Sequence, residues 1–195
     1  MADRSTTTLR AMKLVWPTDE HLAGYVAALH RGWSADTQRP AAAADDLARI
    51  DADPAAFLAE QVDPAGRGRP VILPDGSSVP RLPSYRLWMW DGDFCGNISL
   101  RWQPGTTALP PYCLGHIGYN VVPWKRQLGY ATRALGLILP LARGQGLPFV
   151  DLTTDLGNVA SQRVILNNGG RLIEEFQKPA AHGGVRALRF RIQLS

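Results

Sequence analysis

The chain has 195 residues, 45% of them hydrophobic and 19% charged, which suffices for one substantial core and is short for two. Its net charge is +4 with arginines spread from Arg4 to Arg191 rather than massed, which does not favour a nucleic-acid surface. No run approaches the roughly 18 apolar residues of a membrane helix, and Met1-Ala2-Asp3-Arg4-Ser5-Thr6 lacks a signal-peptide core, so the expectation is a cytoplasmic protein of one domain, residues 1–195, with no membrane partner. Cys95 and Cys113 have no paired spacing and His21, His30, His116 and His182 are scattered, so neither a disulfide scaffold nor a metal site is expected.

In chain order, Leu9 to Trp16 reads as a strand ended by Pro17. Thr18 or Asp19 then caps a helix to about Arg31, with Glu20 suited to its positive end. Asp45 to about Asp51 and Pro54 to about Val62 read as short helices, the latter with Asp53 as cap and proline at the first helical position. Five prolines and three glycines between Val62 and Ser84 predict a long surface loop, a candidate substrate lid. Tyr85–Trp90 and Phe94–Trp102 form a hairpin through Asp91-Gly92-Asp93, with Trp88 and Trp90 on one face and Tyr85, Leu87 and Met89 on the other. A second loop, Gln103 to Leu114, leads to a strand from Gly115 to Val122.

A helix from about Gln127 to Arg143 follows, burying Leu128, Leu135, Ile138, Leu139 and Leu141, with a kink or early end expected at Pro140. Phe149–Asp155 is a short strand, Asn158 opens a second helix closing on Asn168-Gly169-Gly170, and Arg171–Gln177 and Val185–Leu194 are strands. Arg189 and Arg191 should find Glu174 or Glu175 across the sheet. The order β, three helices, ββ, β, α, β, α, ββ predicts an α/β mixed sheet with helices on both faces.

The most informative stretch is Val121-Val122-Pro123-Trp124-Lys125-Arg126-Gln127-Leu128-Gly129-Tyr130-Ala131-Thr132, a strand end, a basic turn and a helix start. The first turn of a helix leaves N–H groups unpaired at the positive end of the macrodipole, and small Gly129 and Ala131 let a phosphate approach the backbone. Lys125, Arg126 and Arg133 add charge beside it. The pattern R-x-x-G-x-A (Arg126, Gly129, Ala131) after Val-Val-Pro resembles the acetyl-coenzyme A pyrophosphate loop of the GNAT superfamily of N-acetyltransferases, and the likeness continues through Asn158-Val159-Ala160-Ser161 to Gly169-Gly170, about residues 115–176.

The resemblance implies a mostly antiparallel central sheet with a parallel, splayed strand pair into whose gap acetyl-coenzyme A enters as cosubstrate. Backbone from Gln127, Leu128, Gly129, Tyr130, Ala131 and Thr132 would hold the phosphates with Arg126, an N–H at Val121 or Val122 would meet the developing oxyanion, and Asn158 and Ser161 would bind the pantetheine arm. Where many members carry a tyrosine, seven residues after Asn158, this chain has Ile165, which cannot give a proton, leaving Ser161 or water to protonate the thiolate. His116 is the candidate base and Tyr119 the fallback, on a strand that carries no carboxylate.

The expected activity is transfer of acetyl to a primary amine of a small molecule or a protein N-terminus by direct attack, and a homodimer is compatible with it. Two readings from other classes stand beside it: a coenzyme A-binding protein without catalysis, motivated by Ile165, and a basic nucleic-acid-binding domain. A nucleotide-dependent enzyme is disfavoured by the absence of G-x-x-x-x-G-K-S/T and G-x-G-x-x-G.

Overall fold

The computed structural model describes residues 11–36, 39 and 41–194. The first strand, β1, is Lys13–Val15; Leu9 and Arg10 of the expected strand lie outside the described residues. Helix α1 (Asp19–His30) starts at Thr18 without a side-chain cap, because the Thr18 hydroxyl bonds the ring Nδ1 of His21 at 2.7 Å instead. Helix α2 (Ala42–Ala52) begins earlier than its first acidic residues suggest, drawing in Ala42, which is buried. Helix α3 (Pro54–Ala59) carries the expected cap, the Asp53 carboxylate accepting from Ala56 N–H at 2.9 Å.

The segment expected as loop from Val62 to Ser84 holds three two-residue strands. β2 (Val62–Asp63) pairs with Tyr85 and Ser84, while β3 (Val71–Ile72) and β4 (Ser78–Val79) form a small hairpin of their own. Strands β5 (Ser84–Trp90) and β6 (Phe94–Arg101) are the expected central hairpin, and β7 (Ile117–Val121) completes a sheet of order β1-β5-β6-β7, with β2 also on β5, antiparallel throughout.

Helix α4 (Tyr130–Gly144) starts three residues later than its apolar period suggests, since the chain first makes a turn of 3₁₀ helix at Pro123–Lys125 and then passes through left-handed backbone at Gln127 (φ 63°) and Gly129 (φ 76°). It buries Tyr130, Ala134, Leu135, Ile138 and Ala142; Leu139 and Leu141 are only partly buried, and Leu128, outside the helix, is 49% exposed. No early end occurs at Pro140. Gly136 and Pro140 both lie on the exposed face, where water can take the carbonyl that the proline leaves unbonded.

Strand β8 (Phe149–Asp155), helix α5 (Val159–Leu166), β9 (Arg171–Gln177) and β10 (Arg186–Gln193) complete the fold, with a second antiparallel sheet of order β8-β10-β9. Arg189 pairs with Glu174 at 2.5 Å and Arg186 with Glu175, as cross-strand geometry predicts, whereas Arg191 turns to β8 and grips Asp151 with two bonds of 2.7 and 2.9 Å.

Alternation on the central strands divides two cores. Leu87, Met89, Ile98, Leu100 and Ile117 pack with α4, α5, β8 and β10 on one face of the first sheet. Trp88 and Phe94 pack with Tyr25, Leu29, Ile50 and Phe57 of the three N-terminal helices on the other. Tyr25 stacks on Trp88 with centroids 4.6 Å apart and donates its hydroxyl to Asp46 at 2.7 Å, so the tryptophan stripe is core. Among the described residues no helix is long and apolar enough to cross a membrane.

Candidate active site

Strands β7 and β8 run side by side without forming a ladder among the described residues, and they are joined at one end by a short neck. There His116 N–H donates to Asp151 O at 2.7 Å, and Asp151 N–H donates to His116 Nδ1 at 3.0 Å. A Cβ at Gly115 would stand 3.0 Å from Asp151 O, so glycine allows the close approach. Beyond the neck the strands belong to separate sheets, and the gap between them is the splay that the sequence resemblance implies.

Which backbone groups face that gap follows from the register of β6 and β7. Val122 N–H donates to Cys95 O at 3.0 Å and Arg101 N–H to His116 O at 2.8 Å, so hydrogen bonding to β6 falls on Val122, Asn120, Gly118 and His116. The intervening residues, Val121 included, turn their N–H and C=O toward β8. Of the two expected donors, Val122 is therefore engaged in the sheet and Val121 is the one directed into the gap. The Val121 carbonyl accepts from Arg126 Nε at 3.3 Å, which holds the arginine at the mouth.

At that mouth the left-handed turns at Gln127 and Gly129 bring successive N–H groups to one side of the loop, the concave arrangement that suits an anion. Among the described residues the six N–H groups from Gln127 to Thr132 have no acceptor; the first helical bond is Arg133 N–H to Gly129 O. A Cβ at Gly129 would meet nothing within 4 Å, so the space above the loop is open. This donor set fits a pyrophosphate. The basic residues around it differ in role from the simple expectation: Lys125 gives its ammonium to Asp91 at 2.7 Å, and Tyr130 donates to the same carboxylate at 2.7 Å. The Lys125 and Tyr130 bonds hold the Asp91 carboxyl below the usual carboxylate range despite burial, and burial with Asp91 pushes Tyr130 up to about 12. Lys125 and Tyr130 thus anchor the loop to the β5–β6 turn, and Arg133 gives its Nε to Met12 O at 2.6 Å, which leaves Arg126 beside the loop.

Across the gap, Asn158 caps α5 by accepting from Ser161 N–H at 3.1 Å. Tyr119, on the β7 face turned toward α5, donates its hydroxyl to Ser161 O at 3.3 Å. Burial raises the Tyr119 phenol above its ordinary value, keeping it protonated. Ile165 is 1% exposed in the core, where Gly170, whose Cβ would come within 2.4 Å of Ile165 Cγ2, packs directly against it. His116 is also 1% exposed, with Nδ1 occupied by Asp151 N–H, and burial lowers its pKa below the usual 6.5. The structure therefore brings Tyr119, Val121, Asn158, Ser161 and the loop to one gap, and sets His116 in its neck.

On the opposite face of β5–β7 lies a cavity of about 410 Å³. Ile117 and Gly118 of β7 and Thr153 of β8 line it together with the β3–β4 hairpin, so the segment expected as a lid shapes this cavity. Arg81, Arg86 and Arg101 line it as well. The sequence reading missed them. Its available signal was an arginine on the polar side of each otherwise apolar central strand, Arg86 between Tyr85 and Leu87 and Arg101 between Leu100 and Trp102.

Neither a protein-family model nor a curated protein matches the sequence. Solved structures do match. A GNAT-family acetyltransferase from Streptococcus pneumoniae superposes with TM-score 0.63 at 12% identity, over 95% of this chain and 100% of that one. RimL, a ribosomal-protein alpha-N-acetyltransferase solved with coenzyme A, gives 0.59 at 13%, over 96% of each chain. The microcin self-immunity acetyltransferase MccE, solved with acetyl-CoA and AMP, gives 0.58 at 14%, over 93% of this chain and 92% of that one. The chain has the GNAT acetyltransferase fold.

Proposed function

We propose that the protein is an N-acetyltransferase that moves acetyl from acetyl-coenzyme A to a primary amine by direct attack. The observation that carries this reading is the run of six N–H groups, Gln127 to Thr132, that find no acceptor among the described residues, at the mouth of a gap into which Val121 N–H also points. The structural neighbours solved with coenzyme A or acetyl-CoA support it. The loop N–H groups and Arg126 would hold the pyrophosphate, and Val121 N–H would receive the carbonyl oxygen as it gains charge. Attack forms the C–N bond and breaks the C–S bond; the amine gives up a proton and the departing thiolate takes one.

The hydroxyls available for that last step are those of Ser161 and of Tyr119, whose phenol reaches the Ser161 backbone carbonyl at the α5 N-terminus. Tyr119 acts as a donor rather than a base, because burial keeps its proton in place. His116 holds the neck of the splay and is assigned no proton transfer in this reading, which leaves solvent to take the proton of the amine. A screen of amines and peptides read by thiol release tests the proposal. Amine-dependent release that Gly129→Glu abolishes is the expected result; binding of acetyl-coenzyme A with no release for any amine would favour a non-catalytic binding protein.

A further inference from the structure

Six arginines of this molecule meet carboxylates among the described residues: Arg39, Arg49, Arg69, Arg186, Arg189 and Arg191 all form ion pairs. The three in the cavity do not, among the described residues. Arg86 reaches only neutral oxygens, Ser99 Oγ at 3.4 Å and Gln61 Oε1 at 3.5 Å. Arg101 touches Gly115 O at 3.5 Å and reaches over β7, one terminal nitrogen 3.1 Å from where a Cβ at Gly118 would stand. Arg81 donates to Arg69 O at 2.9 Å, while Glu60 and Asp63 attract it from beyond ion-pair distance.

The acidic groups nearby are engaged elsewhere. Glu60 is held by Arg49 at 2.5 Å and Arg69 at 3.4 Å, Asp36 pairs with Arg39 at 3.2 Å, and Asp63 accepts from Arg67 and Gly68 N–H at 3.0 and 2.8 Å. Three guanidiniums that share a cavity and repel one another are costly to bury together unless an anion joins them. Planar guanidinium forks match carboxylate and phosphate oxygens.

We propose that the acceptor is a small-molecule amine bearing an oxyanion, carboxylate or phosphate, seated on Arg81, Arg86 and Arg101, with its amine directed past Gly118 toward the β7–β8 gap; this rests on the acetyl-transfer reading. A volume of about 410 Å³ lies in the range of small-molecule sites, and the β3–β4 hairpin, Tyr112 to Leu114 and His182 enclose it, which favours a small molecule over a polypeptide.

The test is calorimetric binding of four matched probes, with and without coenzyme A, and thiol release in parallel. They are para-aminomethylbenzoate, para-aminomethylphenylphosphonate, the uncharged para-aminomethylbenzamide and an acidic-N-terminus peptide. At least one of the two small anions should bind about 10-fold or more tightly than the amide and the peptide, and whichever anion leads identifies the group. Arg86→Gln and Arg101→Gln should each shrink that advantage, with Arg101→Lys keeping part of it; the wild-type comparison decides the matter for any variant that fails to fold. Amide or peptide binding as tight as the anions would overturn the proposal. Preferred anion binding without thiol release would uphold the anion site and overturn acetyl transfer instead.

Discussion

Ile165 illustrates what a single position decides. Its side chain is core, so no phenol can be supplied from there, and the two hydroxyls near the α5 N-terminus belong to Ser161 and to Tyr119 from across the gap. Ser161→Ala is expected to lower kcat by up to about 10²-fold, and Tyr119→Phe by a similar factor if the phenol is the donor, with smaller changes in KM for acetyl-coenzyme A. Steady-state kinetics of both variants would tell them apart, and unchanged kcat in both would leave water as the proton source. His116 makes a separate prediction about pH. Burial holds its folded pKa below the usual 6.5, so as pH falls through that value the unfolded chain binds a proton that the folded chain refuses, and stability is lost in that direction. Thermal melts between about pH 7 and about pH 5 should show this slope, and His116→Asn should flatten its share of it. A wild-type slope retained in His116→Asn would show that other groups carry it.

At the level of elements, the body of α4 was legible because its apolar period is strong, and α3 and α5 because Asp53 and Asn158 are good caps. The start of α4 was not. Helical periodicity cannot reveal that Gln127 and Gly129 turn left-handed, although that detour is what exposes the N–H groups. The β3–β4 hairpin was hidden because each strand is two residues long, too short to show alternation. The packing of α4 on α5 was equally invisible: Asn168 Nδ2 bonds Thr132 O at 3.1 Å and Val164 O at 2.8 Å, and Gly136 leaves room for it, with Asn168 Oδ1 3.0 Å from a Cβ placed there. Asn168→Ala should therefore cost about 1–3 kcal/mol in denaturant unfolding, since two carbonyls lose a donor. A loss below a few tenths would mean that water replaces the amide without penalty.

For the whole molecule, the order of elements sufficed to anticipate a sheet with helices on both faces, and the family resemblance implied the splayed pair, but neither revealed the charge of the cavity. That depends on Arg86, Arg101 and Gly118 meeting across three strands, a juxtaposition that only the register creates. The hairpin walling the cavity offers a test of this arrangement. Acetyl-coenzyme A with a bound acceptor should slow trypsin cleavage after Arg67 and Arg81 more than acetyl-coenzyme A alone, and equal rates would detach the segment from the acceptor site. The central claim concerns the other side of the gap, where Gln127 to Thr132 present their N–H groups. An amide-resolved NMR titration with coenzyme A measures those groups directly. The account predicts that the largest shifts fall on Gln127 to Thr132 and on Val121, and that Gly129→Glu removes them; saturable shifts confined to another surface, or none at all, would contradict it.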